Sequence, residues 1–301
     1  MSLFETSPAR ACAAYTNIRN ATTGFCLEAQ EHCDDLWRDY ACFADANFET
    51  EFPVYFHERW FEMYLAVSLM RAGLDVQCPK PGPDILLHHN GRRIWIEATC
   101  ANPGDLDKLD SVPETRRAVA DERIVATQRP TDAMTLRFCN SLDTKQKAFA
   151  TYRDNNIVHP NDATVVAINV HAVPNAWVDM DDLMRRTLYG LGDLTLTIDR
   201  ESRKIVDRGY REQPEVAKQA TGARVNALPF VDGSLPHVSA VLGSSEDAAN
   251  RPSRLGDGFV LYPNLSAAVP WQPRAIRRGQ EWIVGATADD GWDLKRESFI
   301  P

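Results

Sequence analysis

Long apolar runs are missing from this chain of 301 residues, and no stretch approaches the roughly 20 consecutive apolar residues of a membrane helix. A membrane partner is therefore not expected. The opening residues, MSLFETSPARACAAYTNIRN, lack a basic segment followed by an apolar one, so no signal peptide is read and a cytoplasmic setting is the default. Glycine (16) and proline (18) are too few, and too irregularly placed, for collagen-like or low-complexity sequence. No CxxC pair occurs among the seven scattered cysteines, which argues against a zinc framework and for reduced thiols, with Cys26, His32 and Cys33 as a minor redox or metal alternative. Nucleotide and hydrolase signatures are also missing: there is no Walker, dinucleotide, GxSxG or HExxH pattern.

Positive charge is scarce as well. The formal net charge is −9, and the first 62 residues account for −7 of it. An acidic opening on a near-neutral body leaves room for a local phosphate groove. It disfavours tight metal-free binding to nucleic acid, because phosphate neutralisation dominates such affinity.

Hydrophobic spacing predicts a helix within residues 51–72, ended by Gly73, then short strands at 75–78, 84–89 and 92–99. Residues 101–131 read as irregular, with a helical turn near ETRRAVADERI. A second helix is predicted over 134–155, with Phe138, Leu142, Phe149 and Tyr152 on its apolar face, and ATVVAINV at 163–170 reads as a strand buried on both faces. Beyond it, a helix at 178–189, a hairpin of 194–198 with 204–207, and strands at 238–242 and 258–262 are expected. The fold class is α/β with a mixed central sheet. Its parts are an acidic helical extension (1–50), a core (51–172) and a C-terminal α+β region packed on the core (173–301).

The segment PGPDILLHHNGRRIWIEATC carries the chemistry. Asn90-Gly91 between two alternating apolar runs is a strong hairpin signal, since both residues tolerate the positive φ of a type I′ turn. A two-residue turn fixes the register: Leu87 faces Ile94, Ile85 faces Ile96, and one step further Asp84 faces Glu97. Alternation puts Asp84, Glu97 and Thr99 on one face. Directly opposed like charges destabilise a sheet, and a divalent cation held by hard oxygens, Mg²⁺ or Mn²⁺, would offset that. The bland alternative is a pair of solvated carboxylates at a frayed hairpin end.

A helix with a glutamate (Glu62 in RWFEMYL), then Pro83-Asp84, then a strand ending in IWIEAT resembles the PD-(D/E)xK nuclease superfamily, in a bacterial branch with ExT in place of ExK. The order of elements over 51–171 is similar to that superfamily's αβββαβ restriction-endonuclease-like core. The resemblance implies a Mg²⁺-dependent (or Mn²⁺-dependent) nuclease acting on DNA, with Asp84 and Glu97 as metal ligands and Glu62 as a further ligand or a positioner of metal-bound water. The superfamily's lysine should stand at Thr99, which can supply no charge. Lys145 shares the inward face of Leu142 and Phe149, so it is the surrogate candidate; Lys147 does not share that face. Gln146 and Tyr152 are weaker candidates on the same helix. Thr99, Arg116 and Arg117, with Arg123 and Arg129 nearby, are candidate phosphate or substrate contacts. His88 and His89 lie roughly 15 Å from Asp84 at about 3.3 Å per residue, while His171 ends the last core strand and could approach the site. The alternative reading is a catalytically silent nuclease-fold protein that binds nucleic acid or serves assembly. A carboxylate-pair glycosidase is disfavoured because the acids stand too close for inversion and no row of aromatics is evident. A homodimer is compatible with either main reading.

Overall fold

The computed structural model describes residues 2–5, 8–105, 107–114, 129–286 and 292–299. Three helices open the chain, α1 (Ala13–Arg19), α2 (Gly24–Tyr40) and α3 (Phe48–Glu51), and lead into α4 (Phe56–Arg71). Strands β1 (Val76–Gln77), β2 (Ile85–His89) and β3 (Arg92–Cys100) follow, then α5 (Thr131–Asp154) and β4 (Ala163–Asn169). A 3₁₀ turn at Ala176–Asp179 precedes α6 (Met180–Tyr189). The rest of the chain supplies β5 (Leu191–Ile198), β6 (Ile205–Glu212), β7 (Glu215–Ala217), β8 (Arg224–Asn226), β9 (Ala240–Ser244), β10 (Val260–Pro263), β11 (Gln280–Ala286) and β12 (Trp292–Ser298).

Eight strands form one mixed sheet in the order β1-β2-β3-β4-β9-β10-β11-β12. The pairs β3–β4, β4–β9 and β10–β11 are parallel and the others antiparallel. Four strands from beyond residue 172 thus continue the sheet that the first half begins. The fold is α/β, and no helix among the described residues is long and apolar enough to cross a membrane.

Alternation along the strands divides the core. Ile85, Leu87, Ile94 and Ile96 face α4 and the N-terminal helices, whereas Leu86, Trp95, Val166 and Ile168 face α5 and α6. Helix α4 is buried from Trp60 through Leu69 on every side, so a single stripe does not describe it. The sheet covers one flank, and α2 covers another. Its end follows the glycine signal: Gly73 has φ +78° and donates its N–H to Met70 O at 2.8 Å. At the hairpin turn Asn90 and Gly91 have φ of +49° and +74°, and β2 pairs with β3 in the expected register, Ile85 with Ile96 through His89 with Arg92.

A buried latch ties the hairpin to β4. The Asp162 carboxylate accepts hydrogen bonds from Trp95 Nε1 (3.0 Å), Arg93 Nε (3.0 Å) and His159 N (2.8 Å). Burial alone would raise its pKa, but these donors outweigh burial and hold it below the usual carboxylate range. All seven cysteines are free thiols. His32 and Cys33 are buried in the N-terminal core, where burial pushes the histidine down to about 3 and the thiol up.

Candidate active site

Strand β2 begins at Ile85, so it offers no main-chain partner to the part of β3 beyond Ile96. The Asp84 side chain fills that role: its Oδ2 accepts the Ala98 N–H at 2.8 Å. This bond draws Asp84 towards the strand that carries Glu97. Glu97 is buried on the α5 face, and Lys145, reaching inward from α5, places Nζ 2.9 Å from Glu97 Oε1. Glu97 Oε2 is buried and has no hydrogen-bond partner. The cost of burying such an oxygen unpaired makes it the most telling atom of the site.

The electrostatics agree with the crowding. Asp84 is pushed up to about 6, first by burial and then by the negative charge of Glu97, against the pull of Lys145, the Ala98 N–H and Lys80. Glu62, on α4, is raised as well, by burial and then by Asp84. Both of its oxygens are engaged: Oε1 accepts from Tyr40 Oη at 2.8 Å and Oε2 from Arg59 Nη1 at 2.8 Å. Lys80 Nζ stands 3.8 Å from Asp84 Oδ1 and 4.0 Å from Glu62 Oε1, between the two acids. Tyr152 faces the same group, its hydroxyl pushed up to about 12 by burial and by Glu97 and Asp84.

The donor set fits a small hard cation in part. Glu97 Oε2 and Asp84 Oδ1 are oxygens not closed off by a short hydrogen bond, and Mg²⁺ keeps several waters when one or two carboxylates bind it. Among the described residues no group of three or more His, Cys, Asp or Glu is arranged to hold a metal ion, which agrees with the engagement of Glu62.

The structure therefore brings together Asp84, Glu97, Lys145 and, one shell further out, Glu62. Thr99 is half-buried two positions along β3. Arg116, Arg117 and Arg123 lie outside the described residues. Arg129 pairs with Asp179 and donates to Asn175 O at 3.0 Å, so it is held at the start of α6. Gln146 and Lys147 both turn to Asp143. His88 lies 3.6 Å from Asp75, while His171 bonds Asp247 at 2.8 Å beside the His57 ring. Arg59 holds Glu62 in the i,i+3 pair that its spacing allows, while Lys80 and Tyr40 complete the surroundings without a clear sign in the sequence. For Lys80 the one available signal is its place four residues before Asp84; for Tyr40 there is none, because it comes from α2. The chain matches no protein-family model, no curated protein and no solved structure.

Proposed function

We propose that this chain hydrolyses phosphodiester bonds of DNA with the aid of a divalent metal ion, on a restriction-endonuclease-like core running from α4 through β1, β2, β3 and α5 to β4. The observation that carries the reading is the buried, unpartnered Oε2 of Glu97 beside a second carboxylate, with a lysine ammonium on the other oxygen. Asp84 and Glu97 are the residues that would hold Mg²⁺ or Mn²⁺, which supplies an activated water and charge neutralisation at the scissile phosphate. Lys145 keeps Glu97 oriented and brings a positive charge to the phosphate oxygens as negative charge builds on them. Lys80 supplies a second cation on the far side of Asp84, so the charge that Thr99 lacks comes from two neighbouring elements. Glu62, fixed by Tyr40 and Arg59, positions this group from behind. Arg116 and Arg117 are assigned to the phosphate backbone on their charge alone.

The test is cleavage of supercoiled plasmid and of single-stranded DNA with Mg²⁺ or Mn²⁺, comparing the native chain with Asp84→Asn and Glu97→Gln. Metal-dependent cleavage lost in both variants supports the proposal. Equal activity in all three samples overturns it. The Lys145–Glu97 ion pair also favours a second reading, a silent protein that binds nucleic acid without cutting it. DNA retention in a gel shift, with no cleavage under any metal, would select that reading.

A further inference from the structure

Strands β5 and β6 form a two-stranded arm that pairs with no strand of the main sheet. Isolated two-stranded hairpins are marginal in water, yet this one carries six of the twelve large apolar side chains that stand exposed among the described residues: Leu194, Leu196, Ile198, Ile205, Val206 and Tyr210. Pairing explains their arrangement. Leu194 lies opposite Tyr210 and Leu196 opposite Arg208 on one face, and Thr195 opposite Gly209 and Thr197 opposite Asp207 on the other; a register shift after Thr197 leaves Val206 without a partner and sets Ile198 opposite Ile205. One face of the arm thus carries Leu194, Leu196 and Ile198, all exposed, while Tyr210 on the same face lies against the Arg185 guanidinium.

The two edges of the arm differ in character. The β6 edge carries Asp207, Arg208, Arg211 and Glu212, charges of the kind that keep an edge from pairing. The β5 edge is Leu194-Thr195-Leu196-Thr197-Ile198, uncharged, β-branched at Thr195, Thr197 and Ile198, and free of proline and glycine. Such an edge is a template for another strand. It also reads nearly the same in both directions about Leu196. In an antiparallel pairing with its own copy, Leu196 meets Leu196, Leu194 meets Ile198, and Thr195 meets Thr197, all favourable cross-strand neighbours. The acids that flank the segment would also meet, but each is compensated within its own chain: Asp193 pairs with Arg186, and Asp199 accepts the Ser202 N–H at 2.7 Å.

We infer that the occupant of this edge is a second copy of the chain: β5 pairs antiparallel with β5 of the second copy about a two-fold axis at Leu196, merging two hairpins into a four-stranded sheet. The symmetry is isologous, the usual form for a homodimer. The inference is independent of the candidate active site.

Sedimentation velocity over a concentration series tests it, with Leu196→Lys and Leu196→Cys. Position 196 is exposed, so neither change disturbs the core. The native chain should sediment as a dimer. Leu196→Lys sets two ammonium groups opposite each other and should give a folded monomer whose melting temperature, unlike that of the native chain, does not rise with protein concentration. Leu196→Cys should yield a disulfide-linked dimer under mild oxidant, well above the native background from its seven cysteines and above Leu194→Cys, which meets no copy of itself. A native chain that stays monomeric, a dimer that survives Leu196→Lys, or equal cross-linking at 194 and 196 would each overturn the inference. So would a monomer whose Leu196→Lys variant loses affinity for duplex DNA, since the arm would then serve nucleic acid.

Discussion

Replacing Asp84 by asparagine should stabilise the chain near neutral pH while abolishing metal-dependent activity. The carboxyl is raised from its ordinary 3.8 to about 6. That difference corresponds to about 3 kcal/mol of unfavourable interaction once the group ionises. The side chain is one-fifth exposed, and solvent screening reduces the expected effect to about 2 kcal/mol. The sign follows from linkage. A folded-state pKa above the unfolded one means that the folded chain holds the extra proton, so Asp84 contributes stability below about pH 4 and loses it as pH rises through about 6. Asparagine keeps an oxygen for the Ala98 N–H and carries no charge beside Glu97. Urea unfolding of both chains at pH 7.5 should therefore favour the variant by about 2 kcal/mol, and the gap should close below about pH 4. Saturating Mn²⁺ at about one hundred times its Kd should add about 2.7 kcal/mol to the native chain and much less to the variant. A variant less stable than the native chain at pH 7.5, or a gap that is the same at both pH values, would refute the reasoning that burial beside Glu97 strains Asp84.

Lys145→Met should leave Glu97 buried without a cation and cost about 2 to 3 kcal/mol in denaturant unfolding. The same change at Lys147, whose partner Asp143 is exposed, should cost under about 0.5 kcal/mol. In plasmid cleavage, Lys145→Met should lower the rate about a hundredfold. Adding Thr99→Lys to it should restore part of that loss by returning a cation to the same strand as Glu97; no recovery would separate Thr99 from the site. Asp162→Ala strips partners from Arg93, Trp95 and the His159 N–H and should cost about 3 kcal/mol at pH 7. Because the Asp162 pKa is depressed, its contribution is present above the usual carboxylate range and fades as pH falls through the folded value, so the difference between native and variant Tm should shrink in acid.

The hairpin was the most legible part of the chain, for a local reason. Asn90-Gly91 determines its own backbone geometry, and alternation carries that register outward as far as Ile85 and Ile96, where the ladder ends; the expected Asp84–Glu97 pair does not form, and Asp84 reaches β3 through its side chain on the Ala98 N–H. Lys145 followed from periodicity on one helix. Where partners come from afar, legibility ended. The all-round burial of α4 depends on α2, and the engagement of Glu62 depends on Tyr40, twenty-two residues earlier. β11 and β12 carry no clear strand signal of their own. In the outermost strand β12 only Trp292, Leu294 and Glu297 are partly shielded, and its stretch Lys295-Arg296-Glu297 gives little apolar contrast. The β5–β6 hairpin was legible as a pair of strands, but nothing local reveals that its Leu194, Leu196 and Ile198 stand exposed.

The wall that α2 builds against α4 has a practical consequence for anyone trimming this protein. A version beginning at residue 51 looks economical, because it discards an acidic leader and keeps every carboxylate of interest. It would also strip Tyr40 from Glu62 and the His32 ring from Trp60 and Tyr64, and would open a flank of α4 to water. The shortened molecule would present a greasy helix where the intact one presents acids, and it should come out of the cell as aggregate.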